Sequence, residues 1–174
     1  VGGFGPLYDS FSTGASPLSF THLSLMLGGQ GGSVNVGLYG NQIPIGGPFS
    51  GSSIPGGLVY NIGTASSLPA GPSVVDFNIP YIALAANTRY WIGLTTGDAT
   101  ALWFYSFDFS GTGVGGEFFF NSAGVFPNNP DGGYQMLVEA APTPVPAALP
   151  LFASGGGVLG FLAWRRKRKA QAAL

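Results

Sequence analysis

Cysteine is absent from the 174-residue chain, which excludes disulfides and thiolate metal sites alike. Charge is nearly as scarce, with Asp, Glu, Lys and Arg making up 7% of the residues. Up to Trp164 the only Lys or Arg is Arg89, set against Asp9, Asp76, Asp98, Asp108, Glu117, Asp131 and Glu139, a net of −6. The other cations all stand in Arg165-Arg166-Lys167-Arg168-Lys169, so the overall −1 averages an acidic body with a basic end. Such a body lacks the Lys/Arg cluster that binding to phosphate backbones requires, which argues against nucleic acid as a partner. Histidine occurs once, at His22. A Ser–His–Asp relay would have to use it, and no Gly-x-Ser-x-Gly elbow accompanies it. No glycine cluster opens a helix after a strand with the Lys of a phosphate-binding loop. No internal repeat stands out, which argues against a propeller or solenoid.

What is present is aromatic and turn-rich. Fourteen Phe, 7 Tyr and 3 Trp can build a core without disulfides, and 30 Gly with 14 Pro punctuate it. About 140 residues precede the basic end and its apolar approach, enough for one domain with a sizeable core. Val1 is not an initiator methionine, and an N-terminus outside the membrane requires an export signal. The chain is therefore expected to begin after a processing site or to be a fragment.

Period-two alternation predicts the strands. Val1 to Pro17 reads as a loose stretch with Leu7, Tyr8 and Phe11 as anchors. Leu23–Leu27 and the Val34, Val36, Leu38 run read as two strands, with a hairpin across Gly28–Gly32. Asn41–Gly57, with three prolines and five glycines, reads as a long loop. Leu58, Tyr60 and Ile62 form a third run, and Val75, Phe77 and Ile79 a fourth that Pro80 ends. Tyr90, Ile92 and Leu94 share one face of a fifth. Ala101–Phe109 suits a strand covered on both faces. Glu117–Phe120 follows, then a turn at Pro127–Gly133, then Tyr134, Met136 and Val138. About eight short strands with Gly/Pro turns favour an all-β fold, an antiparallel jelly-roll-like β-sandwich over residues 1–140.

The end of the chain has a different grammar. Pro142-Thr143-Pro144-Val145-Pro146 stiffens a spacer over residues 141–146. Ala147 to Trp164 then runs without charge, long enough for a single transmembrane helix across a bilayer core of about 30 Å. Arg165, Arg166, Lys167, Arg168 and Lys169 open a basic tail, residues 165–174, that holds the C-terminus in the cytoplasm. A buried hairpin or an interfacial segment would also be uncharged, but the sharp boundary between apolar run and cation block favours a spanning helix. This order resembles the PEP-CTERM sorting signal of Gram-negative bacteria, on Pro144-Val145-Pro146, Ala147–Phe152, Gly160–Trp164 and the Arg165–Lys169 block. Val145 stands where that family has Glu. The resemblance implies the lipid bilayer and an exosortase-type membrane protease as partners, and a cell-surface or exopolysaccharide-matrix destination.

A second resemblance covers most of residues 5–139. Gly5–Phe11, Pro72–Phe77, Leu84 with Asn87–Leu94, and Tyr134–Met136 look like a bacterial surface domain of the choice-of-anchor type, R-like, whose relatives carry different C-terminal anchors. It implies a secreted β-sandwich and supplies no active site.

Three chemistries remain for the body. Paired carboxylates for glycoside hydrolysis need two acids across a cleft, whereas Asp98 and Asp131 read as turn residues and Asp76 as an outward strand position. Calcium would draw on Asp98, Asp108, Asp131, Asn128 and Asn129, although no calcium-loop motif is present. Glycan stacking, as in a carbohydrate-binding module, would use Trp91, Trp103 and Tyr105, which otherwise read as core. The expectation is a non-enzymatic exported surface protein without a cofactor.

Overall fold

The computed structural model describes residues 6–47, 50–95, 100–105, 118–121, 124–127 and 134–143. Every paired strand among them is antiparallel, and none of these residues is helical. The strands are β1 (Leu7–Ser12), β2 (Leu18–Gly28), β3 (Val34–Gln42), β4 (Ile54–Ala65), β5 (Ser73–Leu84), β6 (Arg89–Thr95), β7 (Leu102–Trp103), β8 (Phe118–Asn121), β9 (Gly124–Pro127) and β10 (Met136–Pro142). The first sheet has the order β1-β6-β3-β4, and the second β10-β2-β5 with β7 also on β2. β8 and β9 form a separate hairpin. Val1–Pro142 makes one compact unit, and Thr143–Leu174 belongs to another.

Alternation explains the layering. Val34, Val36, Leu38, Ile92 and Leu94 of the first sheet and Phe20, Leu23, Leu25, Leu27 and Leu84 of the second are all buried in one cluster. Two sheets thus share a core, the arrangement expected of a sandwich. Tyr90, Ile92 and Leu94 do share the inner face. Trp91, between them, lies on the outer face with Tyr8, Tyr39 and Ile54.

Several local expectations fail, for identifiable reasons. Leu7, Tyr8 and Phe11 are not anchors of a loose stretch but members of β1, which pairs with β6 from Leu7↔Leu94 to Ser12↔Arg89. β2 and β3 do not form a hairpin, because they belong to different sheets. The connection turns away through left-handed backbone at Gly29, Gln30 and Gly31. It is fastened to the strand-4-to-strand-5 connection by Gly29 N–H to Pro69 O and Gly31 N–H to Leu68 O, both 2.7 Å.

Asn41–Gly57 is loop in its middle and ladder at its ends: Asn41–Gln42 close β3 and Ile54–Gly57 open β4, while the described residues 43–47 and 50–53 lie outside any strand. β3 and β4 are a hairpin whose last pairs are Asn41↔Pro55 and Gln42↔Ile54. Pro55 is tolerated because β4 is an edge strand, where one N–H need not reach a neighbour. Pro80 likewise does not end β5, which runs on to Leu84 along the edge of the second sheet. Its missing N–H falls at a register shift, where Ile79, Pro80 and Tyr81 lie opposite Thr21 alone.

Of the described residues of the Ala101–Phe109 stretch, Leu102–Trp103 join a ladder, with Leu102 half exposed and Trp103 buried, so one face is covered there. Residues 106–109 lie outside the described ones, as do 128–133 of the expected turn; Pro127 closes β9. β10 extends through Ala141 and Pro142, opposite Ser19 and Leu18. Among the described residues no helix is long and apolar enough to cross a membrane. Residues 147–164, and with them the expected transmembrane helix, lie outside the described set.

Among the described glycines, Gly93 leaves the least room for a side chain. A Cβ there would stand 2.5 Å from Tyr39 Cε2 and 2.5 Å from Tyr8 Cε1, whereas one at Gly57 meets nothing. Gly93→Ala is expected to cost about 1–3 kcal/mol of stability and Gly57→Ala less than about 0.5 kcal/mol, read from urea midpoints.

Candidate functional site

The aromatic candidates come first. β6 lies between β1 and β3, so the side chains on its outer face are flanked from both sides. Trp91 is fully buried there, opposite Ser10 on one side and Tyr39 on the other. Its Nε1–H donates to Asn41 Oδ1 at 3.0 Å. Tyr8 and Tyr39 meet edge to face at 5.1 Å over the Gly93 backbone. Trp103, on β7, is buried in the shared core and stacks on Tyr134 at 4.7 Å and 17°. Its Nε1–H donates to Gln135 O at 3.1 Å. Tyr105 forms an isolated bridge with Tyr134 and is 45% exposed.

The structure therefore does not bring Trp91, Trp103 and Tyr105 together as a platform. The two indoles belong to separate clusters, and neither offers an open face to a sugar. Stacking needs a ring face in water, so Trp91 and Trp103 are corrected to packing residues. Tyr105 alone of the three presents surface.

A polar cluster that the sequence left scattered lies on the outer face of the second sheet. His22 and Ser24 alternate outward on β2, and Asn78 and Asp76 stand directly opposite them on β5. His22 Nε2 is 3.1 Å from Ser24 Oγ and 3.3 Å from Asp76 Oδ1, and Nδ1 is 3.3 Å from Asn78 Oδ1. The Ser24 hydroxyl donates to Asp76 Oδ1 at 2.6 Å. In a nucleophilic relay the serine gives its proton to the imidazole, and the carboxylate orients the opposite ring nitrogen. Here the serine proton points at the carboxylate, and both groups crowd one ring nitrogen. The arrangement binds β2 to the edge strand and does not activate Ser24. Its signal in the sequence was the polar i, i+2 pairs; what joined them was register.

Asp9 is the acid whose place the sequence concealed. It faces inward from β1, 1% exposed, and its Oδ1 accepts the Ser10 N–H at 2.7 Å. Burial, then the negative charge of Asp9, raises the Tyr134 phenol well above its ordinary range. Tyr8 is pushed up to about 12, first by burial, then by the neighbouring Tyr39 charge and the hydrogen bond to it.

Asp98, Asp108, Asp131, Asn128 and Asn129, the calcium candidates, lie outside the described residues. Among the described residues no group of three or more His, Asp or Glu could hold a metal. Pro144, Val145 and Pro146 and the Arg165–Lys169 block also lie outside them.

Two predictions follow from this geometry. Trp91→Ala is expected to lose about 3–5 kcal/mol in urea unfolding, and Tyr105→Ala less than about 1 kcal/mol. Since the folded pKa of Tyr8 lies above its ordinary 10.0, the neutral phenol's contribution is whole below pH 10 and is lost as pH rises from there through about 12. Tyr8→Phe, which cannot ionise, should shallow that alkaline decline in the urea midpoint.

Comparison of the chain with protein-family models, with curated proteins and with solved structures finds no match.

Proposed function

We propose that this chain is a non-enzymatic exported surface or extracellular-matrix protein carrying a C-terminal sorting signal of the PEP-CTERM type. In this reading Val1–Pro142 is a secreted, jelly-roll-like β-sandwich of the choice-of-anchor kind. Residues 147–164 hold the precursor in the inner membrane of a Gram-negative envelope, with Arg165–Lys169 inside. An exosortase-type membrane protease then cuts near Pro144-Val145-Pro146 and passes the domain to the cell surface or matrix. The nucleophile belongs to that enzyme, and this chain contributes substrate residues only.

One observation carries the reading. The last ladder pair is Pro142↔Leu18, and the compact unit stops at Pro142. Two residues on, after Thr143, the motif opens at Pro144, followed by the uncharged run and the cation block. A protease needs an extended backbone that is not held in a sheet, and the motif begins where the sheet stops. Binding of matrix glycans, the reading from another class, draws no support from Trp91 or Trp103, whose faces are covered.

The test is the intact mass of the mature protein from its host, with the protease gene present and deleted. Loss of everything after about Pro146 only when the protease is present is the expected result. A full-length tail in both strains overturns the sorting signal and leaves a membrane-anchored β domain.

A further inference from the structure

From Ser10 to Val75 the chain contains no Asp, Glu, Lys or Arg. The β3–β4 hairpin lies wholly within that stretch, and its tip carries two apolar side chains into solvent. Ile45 is fully exposed and Ile43 is 58% exposed. The described residues of the tip are hydrogen-bonded to one another. Gly51 N–H donates to Pro44 O at 3.1 Å and Gly46 N–H to Ser50 Oγ at 3.0 Å, with Gly46, Gly47 and Gly51 in left-handed backbone.

Ladder register locates this tip. Pro142 pairs with Leu18, and Leu18 with Leu84. The short turn after Leu84 leads to Arg89, which pairs with Ser12. β3 runs antiparallel to β6 with Tyr39 opposite Trp91, so its Gln42 end lies at the Arg89 end of the sheet. The hairpin tip and Pro142 therefore stand at the same end of the compact unit. Among the described residues at this end (12–17, 42–47, 50–53, 85–89 and 140–143) there is no Asp or Glu, and Arg89 is the only Lys or Arg. The acids of the unit that the structure describes, Asp9, Asp76 and Glu139, stand elsewhere along the strands.

We infer that Ile43 and Ile45 at the β3–β4 tip seat in the lipid surface while the precursor is anchored. This rests on the membrane reading of residues 147–164. Only residues 143–146 separate Pro142 from that run, so the tether from Pro142 to Ala147 spans at most about 18 Å when extended. In that reading the short tether keeps Pro142 itself near the bilayer surface. An apolar tip enters the interfacial region, whereas acids there would be repelled by anionic headgroups, and the described residues at this end include none. A polar or acidic protein partner would instead call for charge on the tip, which the sequence withholds.

The cysteine-free chain suits site labelling. Ile45→Cys and, separately, Val74→Cys would carry an environment-sensitive fluorophore in the full chain, reconstituted in vesicles of phosphatidylethanolamine and phosphatidylglycerol. Val74 is also exposed and stands near the other end of the second sheet, opposite Met26. The expected result is a blue-shifted emission, quenched by nitroxide-bearing lipids, from position 45 and not from position 74. Protein that floats with the vesicles while both probes report water overturns the lipid-seating tip alone. Protein that fails to float removes the membrane reading, and the tip inference with it.

Discussion

Everything in the described fold leans on covering both faces of β6. Its inner face, Tyr90, Ile92 and Leu94, is sealed by the opposite sheet, and its outer face, Trp91 and Gly93, is roofed by Tyr8, Tyr39 and Ile54. A chain without disulfides and with few ion pairs to draw on must obtain its cohesion from apolar burial. A central strand covered on both faces gives the largest burial per residue that a sheet allows. The absence of a side chain at Gly93 lets the Tyr8 and Tyr39 rings approach the backbone, and those rings in turn pack against the indole.

The corner between β5 and β6 secures that strand. The Thr13 hydroxyl donates to Ala85 O at 2.7 Å and accepts the Thr88 N–H at 2.9 Å, while Tyr90 Oη accepts the Ala85 N–H at 3.0 Å. Asn87, in left-handed backbone, donates its N–H to Gly14 O at 2.9 Å. The crossing from one sheet to the other is therefore held by hydrogen bonds from β1's end and not by the turn alone. Similar logic fastens the Gly29–Gly32 corner to Leu68 and Pro69. The same burial that covers Trp91 explains why its aromatic face serves the fold and not a sugar.

Alternation made the inner faces legible. Val34, Val36 and Leu38, and Tyr90, Ile92 and Leu94, all occupy the core that their spacing implies. Sheet membership was not legible, because a glycine corner such as Gly28–Gly32 can return a strand beside its predecessor or send it to the other layer. Prolines misled for a related reason: Pro55 and Pro80 break interior strands but are harmless at edges, and which strand is an edge depends on pairing over long sequence separations. Among the candidate residues, Trp91 and Trp103 could not be sorted into platform or packing without the neighbours that cover them. The His22, Ser24, Asp76 and Asn78 cluster needed the β2–β5 register before it existed at all.

The three register shifts of the β3–β4 hairpin place the surplus residue on β4 each time, with Ile62 and Val59 as two of the unopposed positions. β4 is an edge, it is long, and it carries no charge. Lysines commonly keep such edges from zipping onto a neighbour, and here there are none. Bulges coil the strand and throw its donors and acceptors out of line, so a flat partner finds no continuous ladder to extend. Neighbouring molecules are then kept distinct by curvature. Unlike electrostatic repulsion, curvature is not weakened by salt.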